Sequence, residues 1–255
     1  MKRTIQFHKA FLPAVIASAA LIAFGLVGLA TKGINMGVDF QAGVNQYIQL
    51  AFPAADISYT GSGSPVLSIS DSTLTAVFSG ADVEARTVAW DLDKVGTLAD
   101  LAAAMKPEGI LMTIRDAAGF SAGLLVPTYQ GDYTLGTAPV LVHREPKSAA
   151  EIYGSIEQVR DAVGSVGTVS VQSVGGDDSM QYMIRVRDDG SDKSFSEKVP
   201  ALIEQALEKA FGTDKIVAMR TDYVGARFSK DLADNSWKLT LFTVLAILAY
   251  ATIRF

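Results

Sequence analysis

The feature that most restricts this chain is a run of residues without a single charge, from Phe11 to Ala30. At ~1.5 Å rise per residue, a helix of that length reaches about 30 Å, the thickness of the hydrocarbon core of a bilayer. The run therefore predicts a membrane-spanning helix over residues 10–30. Whatever follows it along the chain is expected to be attached to a membrane at this point.

Basic residues set the expected orientation of this first helix. Lys2, Arg3 and Lys9 precede the run, and basic residues next to a span favour the cytoplasmic side. We therefore expect residues 1–9 to form a cytoplasmic tail. A cleaved signal peptide is an alternative, since Gly28-Leu29-Ala30 would serve as a cleavage site, but the apolar run is longer than a usual signal core.

A second apolar run, Leu239–Ile253, lies near the other end of the chain. Trp237 suits a membrane interface and Arg254 a cytoplasmic exit, so we predict a second span over residues 237–255. Both ends of this chain are then cytoplasmic, and residues 31–236 lie on the periplasmic (extracytoplasmic) side of the membrane. This is the topology of a multi-pass membrane protein. Because no polar tail follows the second run, we expect the natural protein to continue.

Charge is distributed unevenly between these regions. All 27 acidic residues lie between Asp39 and Asp234, and with 17 basic residues in the same middle region its net charge is 17 − 27 = −10. A nucleic-acid partner is not expected, because it requires a basic surface. Cysteine is absent, which excludes disulfides and thiol chemistry.

The middle region has the periodicity of an α+β domain. Alternating apolar residues predict a strand from Val44 to Phe52, and helical spacing follows the capping box Ser148–Glu151. A hairpin, a helix after a second capping box at Ser194–Glu197 and a last strand at Lys215–Tyr223 complete the order βαββαβ. This order is typical of the ferredoxin-like fold. We assign residues 31–52 and 148–223 to that domain. Residues 224–236 are assigned to a connector.

Residues 53–147 form an insertion between the first strand and the first helix of this domain. The insertion is predicted to be β-rich and to fold as its own unit, because its two ends meet at one junction. A single short helix is expected from Thr97 to Met105, beginning with a Thr-x-x-Asp capping box. Six strands are predicted: Val66–Ser70, Thr73–Ser79, Arg86–Asp91, Ile110–Asp116, Gly123–Tyr129 and Pro139–Arg144.

Catalytic and metal sites are not expected. The only histidine outside the predicted cytoplasmic tail is His143, which lies on a predicted strand. A Ser-His-Asp site would have to use it, but the sequence contains no GxSxG motif around a serine. Asp177-Asp178 and Asp188–Asp192 lack the spacing of an EF-hand and are better explained as solvated turns. The sequence also lacks a P-loop and a dinucleotide fingerprint, so we predict a non-enzyme without catalytic, cofactor-binding or metal residues.

Two motifs next to the predicted spans resemble a known family. The segment Gly37–Gly43, in which Gly37, Asp39, Phe40 and Gly43 are the characteristic residues, resembles the Gly-x-Asp-Phe-x-Gly-Gly signature of the SecF family. Val224-Gly225 resembles the Val-Gly-Pro element of the same family, before its second helix. Ala42 and Ala226 depart from these patterns. The resemblance covers residues 1–52 and 148–255 and is not expected to include the insertion.

The resemblance implies a role in protein export. SecF proteins are similar in fold to the resistance-nodulation-division exporters and use the proton gradient to assist translocation through SecYEG. SecD, SecYEG, the translocating polypeptide and membrane lipid are the implied partners, and the cell inner membrane is the implied location. A SecD-like subunit of the same complex is an alternative, although Phe40 favours SecF. A two-span envelope receptor or assembly protein with a β-rich binding module is another. In either case the motif residues are expected to couple a membrane helix to a sheet rather than to catalyse.

Overall fold

A computed structural model describes residues 8–32, 41–80, 83–176 and 179–254. The chain divides into two compact units, one made of residues 42–231 and the other of the terminal segments 1–41 and 232–255. The architecture is mixed α and β, and the described residues of the central unit form three sheets. Of the motif residues, Gly37, Asp39 and Phe40 lie outside the described part of the chain.

Two long helices occupy the ends of the chain. Helix α1 is His8–Lys32 and helix α6 is Ala226–Arg254. Among the described residues, only α6 is long and apolar enough to cross a membrane, with a mean hydropathy of 1.5 over its most apolar window and none of that window buried in the protein. Within α1, the apolar helical stretch Leu12–Gly25 is shorter than a full span. The side chain of Phe24 in this stretch is 77% exposed.

The main sheet is built from four strands, all antiparallel, in the order β11-β1-β10-β9. Its members are β1 (Gly43–Leu50), β9 (Val169–Val174), β10 (Gln181–Arg187) and β11 (Ile216–Val224). The alternation that predicted the first strand places Val44, Ile48 and Leu50 on the same face, where each is fully buried. Strand β11 forms one edge of this sheet and contains a bulge opposite Tyr47 and Ile48.

Two helices, α4 (Ile156–Val163) and α5 (Phe195–Phe211), pack on that apolar face. Helix α4 contributes Val159 and Val163, and α5 contributes Val199, Ile203 and Leu207. Helix α4 begins at a complete capping box, in which the Ser155 hydroxyl accepts from the Gln158 amide and the Gln158 side chain accepts from the Ser155 amide. One hydrophobic core therefore lies between the main sheet and its two helices.

The insertion contains two further sheets around a second hydrophobic core. The first has the order β6-β2-β8 and the second the order β5-β4-β3-β7. Two short helices, α2 (Leu92–Val95) and α3 (Leu98–Met105), accompany them, and α3 carries the predicted Thr97–Asp100 capping box. The strands are β2 (Phe52–Tyr59), β3 (Val66–Ile69), β4 (Thr73–Phe78), β5 (Arg86–Asp91), β6 (Ile110–Ile114), β7 (Tyr133–Thr134) and β8 (Val140–Arg144).

The predicted strand Val44–Phe52 ends earlier than expected, at Leu50, and Pro53 does not stop the chain from forming a strand. Ala51 separates β1 from β2, and β2 runs through Pro53 as the central strand of a different sheet. The pairing between β2 and β8 shifts register between Pro53 and Ala55. A proline is tolerated in a sheet at such an irregularity, where its missing N–H breaks no regular ladder.

Two other local predictions were wrong for identifiable reasons. The predicted strand Gly123–Tyr129 is a 3₁₀ turn at Ala122–Leu124 followed by irregular chain. The predicted capping box at Ser148 is a 3₁₀ turn at Ala149–Glu151, because the Glu151 carboxylate accepts from the Lys147 amide and the Arg144 guanidinium instead. Ser194 precedes α5 as predicted but makes no side-chain cap hydrogen bond.

Candidate functional site

The ends of β1, β10 and β11 meet at one corner of the main sheet. Gly43, the first residue of β1, lies opposite Val224, the last residue of β11, and opposite Arg187, the last residue of β10. We call this the strand-end corner, and its members are Ala42, Gly43, Arg187, Asp188, Tyr223, Val224 and Gly225. Gly43 and Val224, which are 181 positions apart in the sequence (224 − 43), are thus direct neighbours.

Gly43 is the one motif glycine in the described chain that has no room for a side chain. Its φ is +156°, and a Cβ built on it would lie 2.3 Å from the carbonyl oxygen of Val186. Backbone atoms cannot move aside as a flexible side chain can, so any larger residue would push β1 away from β10. At Gly225, by contrast, the nearest atoms to a built Cβ belong to Tyr223 at 3.7 Å, an ordinary contact.

A buried carboxylate ties this corner together. Asp188 is 5% exposed, and its amide donates to the carbonyl of Ala42 at 3.1 Å. One carboxylate oxygen accepts from the Tyr223 hydroxyl at 2.9 Å and the other from the Gly190 amide at 2.8 Å. The hydrogen bond to the Asp188 carboxylate raises the pKa of the Tyr223 phenol, so the phenol keeps its proton and acts as a donor at neutral pH.

These contacts hold the ends of β1, β10 and β11 together. Both oxygens of Asp188 accept hydrogen bonds from donors within the corner. The neighbouring Asp189 and Asp192 accept from the backbone amides of Ser191 and Ser194 in the following loop. Within the described ranges, no group of three or more His, Asp or Glu side chains could hold a metal ion.

His143 lies away from the strand-end corner, on β8. Its Nε2 is 3.1 Å from the carbonyl oxygen of Asp214, which precedes β11. Burial lowers the pKa of this imidazole, and the positive charge of Arg115 acts in the same direction against the opposing effect of Asp214. The ring is therefore neutral at pH 7 and links the insertion to the main sheet.

Sequence reasoning missed a buried arginine that lies between the two cores. Arg144 is 3% exposed; its Nε donates to Asp116 at 2.6 Å and a terminal nitrogen donates to Glu151 at 2.8 Å. Its guanidinium also lies over the rings of Phe52 and Phe120, at 4.4 and 4.0 Å from their centroids. We call this group the Arg144 hub. Asp116 and Phe120 belong to the insertion, whereas Glu151 leads into α4, so the hub bridges the two regions.

Sequence reasoning also missed the contact between Asp188 and Tyr223. Asp188 stands in an acidic, glycine-containing stretch that is typical of a solvated turn, and Tyr223 fits the alternation of a strand. Only the antiparallel return of β11 beside β1 brings them together. No local sequence signal could have identified this contact.

Comparisons with known proteins agree with the motif resemblance. The chain is 25% identical to protein translocase subunit SecF of Treponema pallidum (strain Nichols) over 279 aligned positions, which cover 100% of this chain and 65% of that protein. It is also 25% identical to protein translocase subunit SecF of Magnetococcus marinus over 124 positions, covering 49% of this chain and 38% of that protein. No family model and no solved structure matches.

The chain thus spans less than two thirds of the length of these curated relatives. The expectation that the resemblance would omit residues 53–147 was wrong, because the first alignment runs across the whole chain and includes the insertion. Together with the Gly37–Gly43 and Val224-Gly225 motifs, the alignments confirm the resemblance first seen in the motifs. Over its whole length, this chain is similar to protein translocase subunit SecF.

Proposed function

We propose that the protein works as a SecF-type subunit of the protein translocase and assists export of polypeptides through SecYEG, driven by the proton gradient. The whole-chain similarity to a SecF protein carries this proposal. SecD, SecYEG and the translocating polypeptide are the proposed partners. Both relatives are SecF proteins, which favours SecF over the SecD-like alternative.

The proposal includes a membrane topology. Residues 10–30 and 237–255 span the inner membrane in contact with lipid, residues 1–9 are cytoplasmic, and residues 31–236 lie outside the cytoplasm. Support comes from the length and hydropathy of α6 and from the exposed apolar side chains of α1. The basic residues at both ends of the chain favour the cytoplasmic placement of the termini.

In the proposed domain organisation, the main sheet and its two helices form a ferredoxin-like domain from residues 31–52 and 148–223. Residues 53–147 are the inserted unit, and residues 224–236 connect the domain to the second span. The βαββαβ order and the strand order β11-β1-β10-β9 support the ferredoxin-like assignment. The strand-end corner would act as a joint between chain segments and not as an enzyme site.

Export itself gives the decisive test. We expect depletion of this protein in its source cell to slow signal-peptide cleavage of secreted precursors in pulse–chase labelling, whereas a cytosolic protein is made at the normal rate. Re-expression of the natural protein should restore cleavage, and re-expression carrying Gly43→Val should not. Unchanged precursor processing after depletion would count against the translocase role.

Topology can be tested separately because the chain contains no cysteine. Single cysteines at Ser170, an exposed position of β9, and at Lys2 would be labelled in intact cells with a membrane-impermeant maleimide. We expect labelling of Ser170→Cys without disruption of the membrane and of Lys2→Cys only after lysis. The reverse pattern would refute the proposed orientation.

A further inference from the structure

A groove lies between the edge strand β11 and the insertion. Its volume is about 300 Å³, at the lower end of the range for ligand sites. One wall is the start of β11, Ile216–Ala218, and the other is the loop Pro127–Gly131 together with Tyr133; His143 lies between them. We call this the β11 groove.

Both walls of the β11 groove are fixed by hydrogen bonds. In the loop, the Val126 amide donates to the carbonyl of His143 at 2.8 Å and the Thr128 amide donates to that of Ile69 at 2.9 Å. The other wall is held by the contact between the His143 ring and the Asp214 carbonyl, and the Asp214 carboxylate accepts from Arg115 at 3.0 Å. The groove is therefore formed before any ligand arrives, which lowers the entropic cost of binding.

The backbone of β11 has hydrogen-bonding groups that face away from β1. Leu50 and Ile216 are register partners, yet the Leu50 amide donates to Met180 and the Ala51 amide donates to Lys215. This is the pattern of a non-hydrogen-bonded antiparallel pair, in which both residues turn their N–H and C=O away from each other. The amide and carbonyl of Ile216 therefore point to the outer edge, as do those of Ala218 by alternation.

Within the part of the chain that the structure describes, no strand pairs with this outer edge of β11. The bulge after Ala218 interrupts the regular edge, which limits the available length to Ile216–Ala218. Proteins commonly use bulges to protect an edge from pairing. Here the regular part that remains is the part that lines the groove.

The charges around the groove select for a basic ligand. Asp71 and Asp132 are exposed, and neither has an ion-pair or hydrogen-bond partner among the described residues. Asp132 lies between two lining residues, while Asp71 and Glu145 act electrostatically on Tyr129 and help burial to raise its pKa.

The nearby basic side chains are already engaged. Lys215 lies over the ring of Tyr153, at 4.9 Å from its centroid, and Arg115 is paired with Asp56 and Asp214. Neither cation is therefore positioned to neutralise the carboxylates of Asp71 and Asp132. A positively charged group on a bound ligand could neutralise these two carboxylates instead.

We propose that the β11 groove binds a short, extended, basic peptide segment of a partner protein, which adds to β11 as a further strand. Main-chain hydrogen bonds to Ile216 and Ala218 would give affinity, as in other cases of strand addition to a sheet edge. A side chain of the peptide would enter the cavity beside Tyr129 and Tyr133. A basic side chain would lie near Asp71 and Asp132. This site stands independently of the translocase role.

The first test measures the charge preference with the full chain in detergent micelles. The probe is a fluorescein-labelled seven-residue peptide of alternating lysine and valine, followed by fluorescence anisotropy. We expect Asp71→Asn with Asp132→Asn to weaken binding about fivefold, since each exposed charge pair contributes little. The control is Glu157→Gln with Asp161→Asn, which makes the same charge change on α4 and should leave binding unaltered.

The second test asks whether the peptide forms a ladder with β11. Two versions of the probe carry N-methyl groups on alternate backbone nitrogens, one version in each phase. The version whose N-methyl groups replace the N–H donors that face β11 should bind at least tenfold more weakly. The other version should bind nearly normally. Equal binding of both versions would overturn the proposal, because it would leave only non-directional charge attraction.

Location and competing occupants are tested together. A photo-reactive group on the probe should cross-link to Pro127–Tyr133 or Ile216–Ala218, as read by mass spectrometry, and cross-links confined to other segments would refute the site. Sedimentation gives the final check. A dimer of this chain that dissociates when the peptide is added would mean that a second copy occupies the groove, and the proposal of a basic peptide partner would fail.

Discussion

The two cores of the central unit are built differently. The insertion packs two small sheets around a core made almost entirely of apolar side chains, such as Leu67, Phe78 and Leu101. The main sheet buries polar groups as well: Gln46 and Gln49 are both fully inaccessible on β1. Apolar cores gain stability from burial alone, whereas buried amides must find partners and thereby fix one particular packing.

The side-chain nitrogens of the two buried glutamines on β1 have such partners, whereas Gln46 Oε1 and Gln49 Oε1 accept no hydrogen bond from the described residues. Gln46 donates to the Glu204 carboxylate on α5 at 2.8 Å, and Gln49 donates to Glu145 of the insertion at 3.0 Å. Burial raises the pKa of Glu204, although the hydrogen bond from Gln46 opposes this shift. The main sheet is thus joined by specific polar contacts both to its own helix α5 and to the insertion.

The largest test of this comparison is to excise the insertion. Phe52 and Arg144 are register partners, so residues 54–142 can be replaced by a tight turn that joins neighbouring strands. We expect β1, β10 and β11 to keep slow amide hydrogen exchange, measured by mass spectrometry on the full chain with this deletion. Fast exchange throughout the main sheet would show that it cannot fold without the insertion.

Gly43→Val should have the next largest effect and should destabilise mainly the main sheet. The added Cβ meets the Val186 carbonyl, and the φ of +156° is strained for a branched residue. The cost is expected to be about 3 kcal/mol, measured as the loss of unfolding free energy in urea. Gly119→Ala in the insertion is the control, because nothing lies within 4 Å of its built Cβ. Equal losses for the two variants would contradict the assigned role of Gly43.

Replacement of Arg144 tests the link between the cores. Arg144→Met leaves Asp116 and Glu151 without their cation, at an expected cost of about 2–3 kcal/mol. The control is Arg115→Met, which also removes an arginine paired with two carboxylates, Asp56 and Asp214, but from a site 41% exposed. That control should cost much less, because exposed ion pairs contribute little to stability.

We expect Arg144→Met, unlike its control, to separate the unfolding of the two cores. With Trp237 replaced by Phe in both variants, the emission of Trp90 reports on the insertion, and hydrogen exchange in β1 reports on the main sheet. If both signals are lost together in Arg144→Met, at the same unfolding midpoint as in the natural chain, then the Arg144 hub does not link the two cores.

The smallest expected effect is a pH dependence of the contact between His143 and Asp214. Burial holds the pKa of His143 below its ordinary value of ~6.5, so the unfolded chain binds the proton more readily than the folded one. The part of the unfolding free energy that depends on the neutral His143 ring is therefore fully present above about pH 6.5. It decreases as the pH drops below that value. The difference in melting temperature between pH 7.5 and 5.5 should be smaller in His143→Gln than in the natural chain. An identical difference would show that other groups cause the dependence.

The elements with clear periods could be predicted from the sequence. The alternation in β1, the apolar spacing of α5 and the Thr97 capping box each follow from a repeating pattern or a local motif, and the structure confirms them. The hairpin of β9 and β10 was also predicted, although residues 177 and 178 of its turn lie outside the described residues. Local rules suffice where the stabilising contacts are near in sequence.

Contacts between distant segments could not be predicted. The path of the chain through Pro53 depends on a register shift against β8, and the burial of Arg144 depends on two carboxylates that are 28 residues before it and seven after it. Asp188 illustrates the same limit, because its acidic neighbours are exposed whereas its own carboxylate is enclosed. In each case, topology and not local sequence decides the environment.

The pairing of Gly43 with Val224 has a mechanical consequence. These residues are the points at which the chain joins the main sheet and leaves it, and they lie side by side on neighbouring antiparallel strands. A pulling force applied between them would load the β1–β11 hydrogen bonds one at a time from this end, as in opening a zipper, rather than all together as in shear. The sheet should then yield at a low force, with β11 peeling away first.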